Sequence, residues 1–184
     1  HSAEACERLG IPYGIYIYSY AKNSAMAEGE AKHALRLAKG RQLSLPIYYD
    51  LEESSLGGVA ASNMRTFAKL IESAGYWCGV YSGEYYYSKN LSYITAYTRW
   101  IARYNSNNGK ATTKPSTANV AIWQYSSRGK VAGVNGNVDV NIMYVDLIKS
   151  VTGKDYIQAA RDVWAGKYGT NDERTAKLKA EGFD

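Results

Sequence analysis

Asp50 and Glu52 are the residues whose type and spacing could do chemistry. They stand in the run Leu45-Pro46-Ile47-Tyr48-Tyr49-Asp50-Leu51-Glu52-Glu53. Side chains two apart on a strand point to the same face, with Cα atoms about 6.6 Å apart. Two carboxyls on one face repel each other, and their pKa values split. A pair of carboxyls with separated pKa values is what acid catalysis at a glycosidic bond requires. The competing reading is a solvated acidic strand end with no chemistry.

Such a pair needs elements to hold it. The run has strand length and composition, with Pro46 before it and Ser54, Ser55, Gly57 and Gly58 after it. Strand and helix patterns alternate on both sides. Strands are expected at 14–20, 45–52, 76–82, 99–104, 119–125 and 138–141. Helices are expected at 24–39, capped by Asn23 or Ser24 and stopped at Gly40, and at 59–74, closed by Gly75. A less regular helical pattern covers 84–97, a Gly-rich loop or hairpin 126–136, and a helical turn 143–150. This alternation predicts an α/β fold with a parallel sheet and crossover helices. Chemistry in such sheets sits at the carboxyl ends of the strands, where Asp50 and Glu52 fall. Residues 2–10 read as the tail of a crossover helix stopped by Gly10. Six strands where a closed barrel has eight predict that earlier strands are missing, leaving unpaired edges.

The 184 residues suffice for one core and a small appendage. The net charge is +5, and from Lys154 onward basic and acidic residues balance, so the excess lies in the body. A mildly basic body suits an anionic polymer. No Lys/Arg block is dense enough to favour nucleic acid. No apolar run reaches membrane-spanning length, so membrane insertion is not expected. Cys6 and Cys78 lack metal-ligand spacing, and His1 and His33 build no triad, so neither a metal nor a cofactor is expected. Tyrosine is abundant, 18 residues against 2 Phe, and its half-polar ring suits sugar contact as well as core packing.

An ordered set of segments points further. They are Gly10-Ile11-Pro12-Tyr13-Gly14-Ile15-Tyr16 with Tyr18-Ser19-Tyr20-Ala21, then Pro46-Ile47-Tyr48-Tyr49-Asp50-Leu51-Glu52, Gly79-Val80-Tyr81-Ser82, Arg99-Trp100-Ile101-Ala102-Arg103-Tyr104, Trp123-Gln124-Tyr125-Ser126-Ser127 and Gly136-Asn137-Val138-Asp139-Val140-Asn141. With these the chain resembles the lysozymes of glycoside hydrolase family 25, the N-acetylmuramidases of phages and bacteria. The resemblance runs from about His1 to Ser150. It implies a TIM-like (β/α) barrel over residues 1–152, incomplete at its N-terminus, and a short C-terminal helical segment over 153–184. The family's first strand, with an aspartate in a Gly-Ile-Asp-Val-Ser pattern, and its second strand have no counterpart here. The segments Ala160 to Gly169 and Leu178 to Asp184 look like part of a helical cell-wall-binding repeat; a plain helical extension is the alternative.

The resemblance implies a peptidoglycan hydrolase cleaving the β-1,4 bond between N-acetylmuramic acid and N-acetylglucosamine. Its partner would be bacterial peptidoglycan, and its place the cell exterior or wall. Glu52 is the expected general acid and Asp50 its charged partner. The nucleophile would be the substrate's own 2-acetamido group, oriented by an aspartate. Asp139 is the third expected acid, with a turn aspartate as the alternative. Tyr18, Tyr81, Trp100, Gln124 and Tyr125 are the expected sugar contacts, whereas Tyr16 should fill the barrel. Because the first-strand aspartate is missing, a non-catalytic peptidoglycan-binding protein is the alternative function.

Overall fold

A computed structural model describes residues 2–148, 159 and 162–183. The chain divides into two compact units. One comprises residues 14–41 and 46–145; the other comprises 1–13, 42–45 and 146–184.

The larger unit holds all the strands: β1 (Ile15–Tyr18), β2 (Ile47–Asp50), β3 (Cys78–Gly83), β4 (Thr98–Ala102), β5 (Val120–Gly129) and β6 (Val138–Met143). They form a single sheet in sequence order, with β1 and β6 at its edges. It is thus a six-stranded half-barrel, and the described residues do not form an eight-stranded closed one. The pairs from β1 to β5 are parallel. The last pair, β5 with β6, is antiparallel. This departs from the all-parallel expectation for a geometric reason. Only residues 130–137 join the two strands, and a parallel return needs a crossover of a dozen residues or more. β5 also runs to Gly129, into the stretch expected as a Gly-rich loop or hairpin, with register shifts after Gln124 and Ser126.

Two helices cover one face of this sheet. Helix α2 spans Ser24–Ala38, and its start is fixed by Asn23, whose side chain accepts from the Met26 amide. Helix α3 spans Gly57–Ser73. Buried Ala27, Ala31, Ala34 and Ala38 recur every three to four residues on α2. Ala60, Ala61, Met64, Phe67, Ala68 and Ile71 are buried on α3. The small residues let the helices approach closely, and Phe67 stacks flat on Tyr49 of β2, centroids 4.0 Å apart. The core therefore lies between the sheet and these helices, with Ile47, Tyr49 and Val80 fully or almost fully buried in it. Helix α4 is only Glu84–Asn90, shorter than the sequence pattern predicted.

In the smaller unit, α1 (Ser2–Leu9) ends at Gly10, whose φ of 63° closes the helix, and the Ile11 amide returns to the Cys6 carbonyl. Helix α5 spans Asn171–Ala180, and Tyr168 before it donates to Glu181 after it. The 152/153 boundary and part of the helical segment expected over 153–184 lie outside the described residues.

Candidate active site

The register of the sheet sets the site. Tyr18, Asp50, Tyr81 and Trp100 are aligned across β1, β2, β3 and β4. Gln124 of β5 pairs with Ala102, two residues beyond Trp100. Rings pack along the face opposite the helices: Trp100 meets Tyr48 and Tyr81 edge-on, with centroids 5.2 and 4.9 Å away. Tyr81 and Tyr104 both donate to Gln124 Oε1, at 2.6 and 2.8 Å. The indole of Trp100 donates to Asn141 of β6 at 2.8 Å.

Glu52 lies just past the end of β2, yet the backbone there is held. The Leu51 amide donates to the Tyr81 carbonyl, and Ser82 Oγ donates to the Leu51 carbonyl. On the other side the Ser19 amide donates to the Asp50 carbonyl. This pairing extends the strand's alternation to Glu52 and carries both carboxyls to one rim.

Their environments differ. Asp50 is 5% exposed, and its Oδ1 has no hydrogen-bond partner among the described residues. Burial, with the nearby Glu52 charge as a smaller cause, pushes its carboxyl up to about 8. The Glu52 side chain is exposed, but desolvation on its inner side also raises it above the ordinary glutamate value. Asp50, expected as the charged partner, is thus the carboxyl that most firmly keeps its proton. The cause is its place inside the sheet's end, where ionisation has no compensating donor.

Two tyrosines report which acids share this neighbourhood. The Tyr18 hydroxyl is pushed up to about 12 by burial first, then by Glu53, Glu52, Tyr20 and Asp50. Tyr104 is raised by burial, and Asp139, Glu52 and Asp50 all act on its hydroxyl. Asp139, exposed on β6, is therefore within electrostatic reach of the ring that also senses the other two acids. Tyr125 lies on the far side of its strand, against Trp123 at 5.7 Å, whereas Gln124 between them faces Tyr81. Tyr16, expected inside a barrel, is 65% exposed, because its strand is a sheet edge.

An open groove of about 590 Å³ adjoins Glu52, lined also by Tyr85, Tyr86, Lys89, Arg103 and Tyr104. Glu84 braces its wall. It pairs with Arg103 at 2.8 Å and accepts from the backbone and hydroxyl of Ser116. Those contacts and that ion pair hold its carboxyl below the usual glutamate value against the opposing effect of burial. No role was expected for Glu84 or Tyr104. The signal was their position at the carboxyl end of a strand, Glu84 directly after β3 and Tyr104 two residues after β4. Among the described residues, no group of three or more His, Cys, Asp and Glu could hold a metal ion.

The family model of the glycosyl hydrolases family 25 matches residues 2–134. The uncharacterized protein YegX of Escherichia coli O157:H7 is 32% identical over 133 residues, 68% of this chain and 46% of that protein. The chain thus spans about half the length of this curated relative. The catalytic domain of endolysin ply40, from bacteriophage P40 of Listeria monocytogenes, superposes with a TM-score of 0.74 at 27% identity. That match covers 83% of this chain and 77% of the other. The modular autolysin LytC of Streptococcus pneumoniae, solved with a synthetic peptidoglycan ligand, has a TM-score of 0.67 at 30% identity. It covers 78% of this chain and 36% of that one.

Proposed function

The chain belongs to the glycosyl hydrolases family 25, and from that premise we propose that it is a lysozyme acting on bacterial peptidoglycan. The bond cleaved is the β-1,4 link between N-acetylmuramic acid and N-acetylglucosamine. The observation that carries this reading is the Asp50–Glu52 pair at the carboxyl end of β2, one carboxyl buried and one opening on a groove. The endolysin and autolysin relatives, one of them solved with a peptidoglycan ligand, support the substrate class. Action on the wall places the protein outside the cell or at the wall; no helix among the described residues is long and apolar enough to cross a membrane.

Glu52 is the general acid. It is the exposed member of the pair and lines the groove, so it can reach the leaving oxygen. Burial raises its carboxyl above the ordinary glutamate value, the direction a proton donor needs. Asp50, holding its own proton, spares Glu52 a like charge at the moment it must become carboxylate. The substrate's 2-acetamido oxygen attacks C1 as the glycosidic C–O bond breaks, and the Glu52 proton goes to the leaving oxygen. Glu52, now a carboxylate, then takes a proton from the water that opens the cyclic intermediate. An aspartate orients the acetamido group, and Asp139, exposed and within electrostatic reach of Tyr104, is the one assigned to it. The Tyr18 and Trp100 rings and the Tyr81–Tyr104–Gln124 cluster shape the sugar's bed, with Tyr125 behind it.

Clearing of purified cell wall by the parent and by Glu52→Gln tests the reading. The parent should clear the suspension, and the variant should lose about 100-fold or more of that rate. Equal clearing by both would remove Glu52 from the role. Wall binding by the parent with no release of reducing ends would favour the non-catalytic alternative.

A further inference from the structure

Glu30 lies inside α2, in the outer helical layer, and has no part in the acid cluster. Its carboxylate is nevertheless fully engaged with the segment that leaves β1. Oε2 accepts from the hydroxyl of Tyr49, and Ser19 Oγ lies 2.9 Å from the same oxygen. Oε1 accepts from the backbone amide of Tyr20 at 2.9 Å. Ser19 Oγ is also 2.8 Å from the Tyr49 hydroxyl and accepts from the Ala21 amide. Tyr49 is completely buried and Ser19 nearly so. The knot therefore ties the helical layer to three successive residues at the rim.

Those three residues follow Tyr18, whose hydroxyl senses Asp50 and Glu52. The Ser19 amide continues the β1–β2 pairing by donating to the Asp50 carbonyl. Tyr20 is 64% exposed and packs on Tyr18 with centroids 4.9 Å apart. An exposed ring backed by a second ring, beside two carboxyls, is a stacking platform for a sugar. Its orientation depends on where the Tyr20 backbone is held, and that amide donates to the Glu30 carboxylate.

We infer that Glu30 is a positioning residue that fixes the Tyr18–Tyr20 platform beside the acid pair through Ser19, Tyr49 and the Tyr20 amide. This rests on the lysozyme reading for the identity of the sugar, and on geometry alone for the lock. The donors make a specific demand. Hydroxyls can turn round and accept, whereas a backbone N–H can only donate. A glutamine at position 30 can offer its carbonyl to Tyr20 and its amide hydrogens to the two hydroxyls. A leucine can offer nothing to either.

The test compares the parent, Glu30→Gln, and the double variant Glu30→Leu with Tyr49→Phe. Removing the half-buried Glu30 carboxylate and the buried Tyr49 hydroxyl together avoids stranding that hydroxyl, and Ser19 Oγ still accepts from the Ala21 amide. Two readouts are taken: steady-state kinetics on soluble peptidoglycan oligosaccharides, and amide hydrogen exchange at Tyr20. The double variant should raise KM about tenfold, equivalent to about 1.4 kcal/mol of lost binding, with kcat within about twofold. Its Tyr20 amide should exchange faster than the parent's. Glu30→Gln should match the parent in both readouts. Unchanged KM in the double variant, or a fall in kcat at constant KM, would overturn the inference. So would Tyr20 exchange at the parent rate. A parent that hydrolyses nothing would defeat the lysozyme reading, while the exchange measurement would still decide whether Glu30 locks the rim.

Discussion

Burial keeps Asp50 neutral at a pH where an exposed aspartate is ionised. The folded pKa, about 8, lies above the ordinary value of 3.8, so the sign of the linkage follows. Stability from this group is complete below about pH 4, where both states hold the proton. It is lost progressively as the pH rises to about 8, because the unfolded chain releases the proton first. The thermal stability of the parent should therefore fall as the pH rises from about 4 to about 8. Asp50→Asn should remove a share of that loss, on the order of a few kcal/mol. Parallel stability–pH curves for parent and variant would show that Asp50 is not held neutral. The spacing of Asp50 and Glu52 was legible in the sequence, since the two-residue period alone places them on one face. Their inequality was not. Which carboxyl is buried depends on Tyr18 and Tyr81, which flank Asp50 in register from strands 32 positions before it and 31 after it.

Elements place these residues, and small side chains decide how closely the elements meet. Gly79 of β3 sits against Tyr48 of β2, and a Cβ there would collide with carbons of the Tyr48 ring. That ring is almost fully buried and wedged against Trp100, so it has nowhere to retreat. Gly79→Ala should destabilise the protein by roughly 1–3 kcal/mol, the usual range for overpacking a filled core. Urea unfolding measures it, and a midpoint equal to the parent's would mean that Tyr48 can yield. The element types were largely readable, because Ala and apolar residues at helical spacing and short strand runs carry their own period. The end of α4 and the direction of β6 were not. Helix α4 stops at Asn90, well short of the pattern through Tyr97. The turn of β6 follows from the length of a connection rather than from any property of Val138–Met143.

At the scale of the molecule, the sheet ends at β1, whose outer edge pairs with no strand among the described residues. Tyr16 there is largely exposed. An unpaired edge bearing an aromatic ring invites pairing with another chain. The 184-residue chain should therefore associate with rising concentration, and Tyr16→Lys should reduce that association. Light scattering over a concentration series decides between this and a parent that stays monodisperse throughout. The sequence by itself determined the alternation of strands and helices, the acidic end of β2 and the family, because each is written in local pattern and ordered motifs. Only the tertiary structure decided that Asp50 is the buried acid and Glu52 the open one. It alone brought Asp139 to the Tyr104 that senses both, turned Tyr125 away, and tied Glu30 to the rim. These are properties of register and burial, set by contacts between residues far apart in the chain, and no local pattern encodes them.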